Sequence, residues 1–299
     1  MCISRLAAVV LLTGAVSASP QDVFVSLCRT HFSVTDAHGN LVTTLDSDDV
    51  TIFDNDVPQR PDEFESHPES PISLAVLVDR SSSMGARLPR LSAVATTFAF
   101  QALHTSSDRA LVVAFDANVY LVQDWTSDGD RIASAISSLT SAGGTSLFDA
   151  LFKSSRDRLP ADSNRHNIVL LISDGEDTTS AATFDQALEM TTLSRAVIYA
   201  IGAPTDSSLN PRALEGHHVL ETLTALTGGR VFFPESNGWA PLDALLTRVR
   251  EEIRYTFSVT YYLSQPPDGT FHRLRIVPRD KSLIVHAPSG YYARALASS

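Results

Sequence analysis

The apolar run from Leu74 to Val78, which Asp79 follows directly, limits the possible folds of this chain more than any other segment. An apolar run without polar alternation is typical of a strand that is buried on both faces of a parallel sheet. Two hydroxyl residues, Ser81 and Ser83, follow Asp79 at alternate positions. Because α/β proteins bind ligands beyond the carboxyl ends of such strands, this loop is a candidate binding site.

Two further segments carry the same kinds of side chain. The loop 143–146 begins with two glycines and precedes a helical pattern, so it places the Thr145 hydroxyl near the start of a helix. The run 168–172 is a second buried-strand pattern, and Asp174 follows it closely. Carboxylate and hydroxyl oxygens suit a hard divalent cation, Mg²⁺ or Mn²⁺, rather than zinc.

The wider pattern predicts a doubly wound α/β fold with a mostly parallel sheet, because apolar strands alternate with helical segments from Ile72 onward. The connection between 110–115 and 119–122 is so short that this pair is expected to be antiparallel, at one edge of the sheet. Segments 19–57 and 254–299 have β patterns that are too short to be stable alone. We therefore expect them to pair into one accessory β-sheet or sandwich.

The N-terminus is typical of an export signal. Residues 1–18 have a charged start, an apolar core and small residues where a signal peptidase would cut. The apolar core is about a dozen residues long, which is short for a membrane anchor. We expect a protein exported to the periplasm or the medium, with no membrane span after cleavage. The predicted organisation is a signal peptide (1–18), an N-terminal β segment (19–57), a Pro-, Glu- and Asp-rich linker (58–71), an α/β domain (72–253) and a C-terminal β segment (254–299).

Charge and cysteine content exclude some classes of function. The formal net charge of −11 argues against binding to nucleic acid and to anionic membrane surfaces. After removal of the signal peptide Cys28 is the only cysteine, so an internal disulfide is excluded. Its strand-like surroundings favour a small buried apolar side chain.

The candidate ligands from the three segments come in a definite order: Asp79, Ser81, Ser83, Thr145 and Asp174. This set resembles the metal-ion-dependent adhesion site (MIDAS) of von Willebrand factor A domains. Nearly the whole mature chain is also similar to a bacterial family of exported von Willebrand factor A-related proteins, whose function is mostly unassigned. The resemblance implies that the hydroxyls bind Mg²⁺ or Mn²⁺ directly, and that the carboxylates hold it directly or through water. It also implies one open position, which an Asp or Glu of a protein partner fills.

The roles of several charged neighbours stay open at this point. Asp116 could orient water beside the metal, although an exposed turn aspartate is the favoured interpretation. Glu176 and Asp177 could hydrogen-bond around the ligands, although solvated loop charges are favoured. Asp149 fits a helix-start carboxylate better than a ligand. Arg80 puts a positive charge beside the site, where it either weakens metal binding or attracts an acidic partner.

We predict a metal-dependent, adhesion-type protein-binding module rather than an enzyme. The sequence has no Walker A motif, no Gly-x-Gly-x-x-Gly and no Gly-x-Ser-x-Gly elbow. Ser81 stands where a phosphatase-type motif needs a second acid, and His217 and His218 lack any zinc-binding context. The alternative is a metal-free structural or assembly module of the cell envelope, whose accessory β-sheet makes the contacts through exposed edges.

Overall fold

The computed structural model describes residues 27–159, 165–203, 210–234, 240–263 and 268–293. The predicted signal peptide lies outside these residues, so it stays a prediction. Within them, no helix is both long and apolar enough to cross a bilayer.

The strands are β1 (Leu27–Thr35), β2 (Val50–Asp54), β3 (Val57–Gln59), β4 (Glu63–His67), β5 (Ile72–Asp79), β6 (Arg109–Phe115), β7 (Val119–Thr126), β8 (His166–Ser173), β9 (Ala196–Gly202), β10 (Val231–Phe232), β11 (Thr256–Tyr262), β12 (Phe271–Pro278), β13 (Ile284–His286) and β14 (Gly290–Tyr292). The helices are α1 (Leu88–Ala102), α2 (Gly129–Ser137), α3 (Leu147–Asp157), α4 (Phe184–Leu193), α5 (Pro211–Thr227) and α6 (Ala240–Arg254).

A six-stranded sheet forms the centre of the α/β domain, in the order β10-β9-β8-β5-β6-β7. Its strands pair in parallel except for the edge strand β7, which pairs antiparallel with β6. The predicted fold class, a doubly wound and mostly parallel sheet with an antiparallel edge hairpin, is therefore confirmed. Because β5 lies between β8 and β6, Asp79 leaves the sheet at its centre.

The central strand β5 is buried on both faces, as its apolar run predicts. Leu74, Val76 and Val78 belong to the core layer that α1, α2 and α6 cover. Ala75 and Leu77 belong to the opposite layer, which α3, α4 and α5 cover. Burial of each large aliphatic side chain contributes about 1.5–3 kcal/mol. The strand that carries Asp79 is thus firmly held on both sides.

Two four-stranded antiparallel sheets, in the orders β13-β1-β11-β4 and β14-β12-β2-β3, make up the accessory part. Each combines strands from both ends of the chain, so the predicted accessory sandwich is confirmed. Its core includes Phe32 and Ile52 from the N-terminal segment, and Phe257 and Ile276 from the C-terminal segment. Cys28 is buried in the same core, as expected, and burial raises the pKa of its thiol to about 11.

The structure differs from the sequence-based prediction in residues 58–71, which were expected to be a linker. They contain β4 (Glu63–His67), which pairs with β11 as the outer strand of its sheet. Phe64 is half-buried against the sandwich core, whereas Glu63 and Glu65 are exposed. Since only one face of β4 packs, its acidic outer face gives it the composition of a linker.

Candidate metal centre

Parallel pairing of β5 and β8 brings two of the predicted ligands to one edge of the sheet. Val78 lies opposite Ile172, so Asp79 and Asp174 leave the sheet beside each other. The Ser173 hydroxyl donates a hydrogen bond to Oδ2 of Asp79 at 2.7 Å. Ser173 was not among the ligands that the sequence predicts. The available signal is that it is the one polar residue closing the apolar run of β8.

The loop after β5 is folded back onto Asp79. The Ser81 backbone N–H donates to Oδ1 of Asp79 at 2.8 Å. The hydroxyl oxygens of Ser81 and Ser83 lie 3.0 Å apart. Ser81 is buried and Ser83 is exposed, so the paired hydroxyls extend from the interior toward solvent. This places three of the predicted ligands within one short turn.

Thr145 approaches the same edge on the loop before α3. Two backbone hydrogen bonds tie this loop to the loop after β5. The Ala142 N–H donates to the Arg80 carbonyl at 2.7 Å, and the Ser82 N–H donates to the Gly143 carbonyl at 3.1 Å. Thr145 is buried. Its loop therefore lies against the turn that carries the two serines.

The loop after β8 completes the arrangement. The Thr145 carbonyl accepts hydrogen bonds from the N–H groups of Thr178 at 2.8 Å and Thr179 at 2.9 Å. Oδ1 of Asp174 accepts from the Glu176 N–H at 3.1 Å. Among the described residues, neither Oδ2 of Asp174 nor the Thr145 hydroxyl has a hydrogen-bond partner. Three loops are thus interlocked through their backbones, while these two side-chain oxygens stay unengaged.

The electrostatics of the centre are dominated by the two acids. Asp79 is fully buried and Asp174 is 6% exposed. Burial raises the pKa of Asp79 to about 7, and the charge of Asp174 acts in the same direction. Hydrogen bonds from Ser81 and Ser173 oppose the shift without overcoming it. Neither acid forms an ion pair with any described residue, so their negative charge is not compensated within that part of the chain.

Arg80 is paired with a different acid. Its Nε lies 3.1 Å from Oδ2 of Asp116, an ion pair without hydrogen-bond geometry at Nε. Its guanidinium also lies over the Tyr120 ring, 5.5 Å from the centroid. The positive charge that the sequence places beside the site is therefore directed toward Asp116 and the edge strand.

The interpretation of Asp116 as an exposed turn residue is wrong, because Asp116 is only 5% exposed. Its Oδ1 accepts from the Asn118 N–H at 2.9 Å. Its carbonyl accepts from the Ser146 N–H at 2.7 Å and from the Ser146 hydroxyl at 2.6 Å. Asp116 thus supports the Thr145 loop and neutralises Arg80.

Glu176 and Asp177, for which solvated loop charges were the favoured interpretation, differ from each other. Asp177 is engaged rather than solvated, because its Oδ1 accepts from the Phe148 N–H at 3.2 Å and from the Ser180 hydroxyl at 2.6 Å. This position suits a carboxylate at the start of α3. Glu176 is half-buried, and burial together with the charge of Asp174 raises its pKa.

Other metal-binding arrangements are not found in the described part of the chain, where no group of three or more His, Cys, Asp or Glu side chains is placed to hold an ion. His217 stacks on Phe233 with ring centroids 4.0 Å apart. Asp149 lies in the first turn of α3, as expected, and pairs with Lys153 at 2.9 Å. A cation site here would depend on hydroxyl ligands, which the set around Asp79 offers.

Comparison with known families adds to this geometry. Residues 74–176, about a third of the chain, match the model of the von Willebrand factor type A domain. The chain contains a von Willebrand factor A-like domain. All five predicted ligands lie within the matched residues of this domain. No curated protein matches the sequence.

Several solved structures are similar to this chain at low sequence identity. Conserved hypothetical protein BatB from Bacteroides thetaiotaomicron is 16% identical, with a TM-score of 0.48 over 60% of this chain and 98% of that one. The vWF domain of the type V pili tip protein Mfa5 from Porphyromonas gingivalis is 16% identical, with a TM-score of 0.48 over 62% and 97%. A von Willebrand factor type A protein from Catenulispora acidiphila is 14% identical, with a TM-score of 0.46 over 80% and 74%.

Proposed function

We propose that this chain is an exported protein-binding module of the adhesion or assembly type, whose binding depends on Mg²⁺ or Mn²⁺. In this proposal the hydroxyls of Ser81, Ser83 and Thr145 bind the cation directly. The carboxylates of Asp79 and Asp174 hold it directly or through water. An Asp or Glu of a protein partner occupies the remaining coordination position.

The observation that carries the proposal is the charge imbalance at the carboxyl edge of the sheet. Asp79 is fully buried beside Asp174, and Arg80 is paired with Asp116 rather than with either of them. A buried carboxylate is costly unless a counter-charge compensates it. A divalent cation would supply that charge and would favour the ionised form of Asp79.

The composition of the ligand set explains why a cation held here would attract a partner. Two carboxylates just neutralise a divalent ion, and the hydroxyls add no charge. A site with four carboxylates would repel an acidic ligand instead. Mg²⁺ usually keeps several exchangeable waters, so an incoming carboxylate can replace one of them. Ser83 is exposed, so in this proposal the partner approaches the ligand set from the side of Ser83.

The same side chains argue against a nucleophilic enzyme. A catalytic serine needs a base within hydrogen-bond distance. The Ser81 hydroxyl lies 3.0 Å from another hydroxyl, that of Ser83. The Ser173 hydroxyl does donate to the Asp79 carboxylate, but Ser173 is fully buried and Gly175 donates its N–H to the same hydroxyl oxygen, so this serine is not accessible to a substrate. We therefore propose binding rather than catalysis.

Metal-dependent capture tests this proposal. The mature chain is immobilised and exposed to the native envelope fraction with Mg²⁺, with EDTA, and as the Asp79→Ala variant. The matched control is Asp130→Ala, which removes an exposed acid from the first turn of α2. We expect wild type and the control to retain a partner in Mg²⁺, and to lose it in EDTA. Capture that survives both EDTA and Asp79→Ala would instead support the metal-free assembly module that uses the edges of the accessory β-sheet.

A further inference from the structure

A second polar region lies at the opposite end of the central sheet, where a cavity separates this sheet from the accessory sandwich. Its walls include His31 of β1 and His166 at the start of β8. Glu252 of α6 and Arg195, which directly precedes β9, also contribute. The candidate metal centre lies beyond the other end of β8, at Ser173. The cavity is therefore a separate site, and its role is independent of the proposed function.

The size and walls of the cavity suit a small organic molecule. Measured as the space open to the centre of a water molecule, its volume is about 50 Å³. In that measure one water needs roughly 10–15 Å³, so the cavity corresponds to about four waters. Much of the wall is apolar and comes from Phe32, Ile168, Val197 and Ile253. An occupant with an apolar body fits these walls better than a bare inorganic ion.

His31 is a polar group of the cavity whose hydrogen bonding is not satisfied. Its Nδ1 is buried and has no hydrogen-bond partner in the part of the chain that the structure describes. Its ring packs against His67 and His166, with centroids 5.4 and 5.2 Å away. His166, in contrast, lies within hydrogen-bond distance of the Ile253 carbonyl at 3.1 Å and the Thr256 hydroxyl at 3.0 Å. A buried ring nitrogen such as that of His31 calls for a water or a ligand.

The acid in the described walls of the cavity already has its partners. Glu252 pairs with Arg230. The Ser33 hydroxyl donates to its Oε1 at 2.7 Å, and the Tyr199 hydroxyl lies 3.4 Å from the same oxygen. The charge of Glu252 is thus balanced by Arg230, and it leaves the other cations of the cavity without a counter-charge.

Two arginines in the walls make up this excess of positive charge. Arg165 donates hydrogen bonds to the Ser73 hydroxyl at 3.0 Å, to the Ile72 carbonyl at 3.0 Å and to the Ser107 carbonyl. All three acceptors are neutral. Arg195, an exposed residue of the cavity wall, forms neither an ion pair nor a side-chain hydrogen bond with any described residue. An anion is therefore the occupant that the charges favour.

The electrostatic surroundings of His31 also favour an anion in the cavity. Burial lowers the pKa of His31 to about 3, and the nearby charges of His166, His67, Arg29 and Arg195 all lower it further. The ring is therefore neutral at physiological pH and keeps one N–H to donate. A bound anion would face a neutral donor from His31 and a permanent charge from Arg195.

We propose that this cavity binds a small organic carboxylate. The carboxylate group faces Arg195 and His31, and the apolar part of the ligand packs against Ile168 and Val197. Because the walls come from both the central sheet and β1, a bound carboxylate joins the von Willebrand factor A-like domain to the accessory sandwich.

Calorimetric titration of the mature chain with butyrate tests this proposal, at an ionic strength matched with sodium chloride. Butyrate is expected to bind, whereas 1-butanol, which keeps the apolar part and lacks the charge, is expected not to. We expect Arg195→Ala to weaken butyrate binding at least tenfold. The control Arg131→Ala removes an arginine on α2 whose side chain is 68% exposed, and it should bind like wild type. Equal affinity in Arg195→Ala and wild type would overturn the proposal, as would equal binding of butanol and butyrate.

A second measurement covers the role of His31 without altering β1. The ring-proton resonance of His31 in the NMR spectrum should shift on addition of butyrate, and the His218 resonance should not. Inorganic phosphate serves as the competing probe. Phosphate binding as strong as that of butyrate, or a His31 resonance that butyrate leaves unchanged, would contradict an organic carboxylate in this cavity.

Discussion

Strand β5 has a buried aspartate near each end, and the two are held in opposite ways. Near its start, Asp108 accepts a hydrogen bond from the Ile72 N–H at 3.1 Å and two from Arg254, at 3.0 and 2.6 Å. At its other end, Asp79 accepts from one backbone N–H and from the Ser173 hydroxyl. Asp108 is 1% exposed and Asp79 is 0% exposed, so burial alone does not distinguish them.

The pKa values of Asp108 and Asp79 show the effect of this difference in hydrogen bonding and charge pairing. Burial would raise the pKa of Asp108, but hydrogen bonds from Arg254 and from backbone N–H groups outweigh it and lower the pKa to about 2. Burial raises the pKa of Asp79 to about 7, with a further contribution from Asp174. A buried acid whose counter-charge lies within the chain stabilises the fold. One that lacks a counter-charge is suited to take up a cation from solution.

The largest effect should come from removing the paired acid. Asp108→Ala leaves Arg254, which is 8% exposed, without its partner. Breaking such a buried pair costs about 3–5 kcal/mol of unfolding free energy. Urea unfolding of the mature chain in EDTA at pH 7.5 measures this cost. A loss below about 1 kcal/mol would show that the contrast between the two acids is not one of charge pairing.

Replacing the unpaired acid, Asp79, should stabilise the metal-free protein rather than destabilise it. The folded-state pKa of Asp79, about 7, is above its ordinary value of 3.8. Its contribution to stability is therefore fully present below about pH 4 and is lost as the pH rises through 7. Asp79→Asn avoids that loss. In EDTA we expect the variant to gain about 1–3 kcal/mol over wild type at pH 8, and less at pH 5.5.

Chemical unfolding at the two pH values measures this difference between Asp79→Asn and wild type. Asp130→Asn, which changes an exposed acid of α2, is the control and should show no such dependence on pH. If Asp79→Asn is as destabilising as Asp108→Ala at pH 8, the contrast between the two aspartates is lost.

A hydroxyl ligand should affect metal binding more than folding. Ser81→Ala removes a proposed ligand, so we expect Mg²⁺ affinity to fall at least about tenfold, while metal-free stability changes by about 1 kcal/mol or less. Ser82→Ala is a close control because the Ser82 side chain is exposed in the same turn. Calorimetric titration with Mg²⁺ compares the two. Equal affinities in these variants would remove Ser81 from the ligand set.

The smallest effect should come from Arg80. Its guanidinium is directed to Asp116, so Arg80→Ala removes little charge from the ligands themselves. It leaves Asp116 unpaired, and we expect Mg²⁺ affinity to rise by less than about fivefold. Calorimetric titrations should show a smaller rise in Mg²⁺ affinity at high salt than at low salt, because salt screens the charges around the site. A tenfold fall in affinity would mean that Arg80 positions the loop after β5.

The sequence predicts the parts of this molecule that depend on local pattern. The apolar runs of β5 and β8 specify buried parallel strands, and the polar residues that follow them lie at one edge for that reason. Strand β4 could not be found in this way, because Glu63 and Glu65 face solvent on an edge strand surrounded by prolines. Its place depends on pairing with β11, which is distant in the chain.

The charge pairing and the burial of each acid could not be predicted, since they depend on partners that are distant in the sequence. Asp108 and Arg254 are 146 residues apart, and Ser173 is 94 residues from Asp79. The burial of Asp116 depends on Arg80 and on the loop before α3. Sequence order thus identified candidate ligands, while the charge balance that separates Asp79 from Asp108 required the fold.

Calorimetric titration of the metal-free mature chain with Mg²⁺ at pH 7.5, beside the Asp79→Ala and Asp130→Ala variants, measures whether the set around Asp79 holds a divalent cation. We expect one Mg²⁺ bound per chain in wild type and Asp130→Ala, and none in Asp79→Ala. Folded wild-type protein that takes up no Mg²⁺ or Mn²⁺, or an Asp79→Ala variant that binds as tightly as wild type, would contradict it.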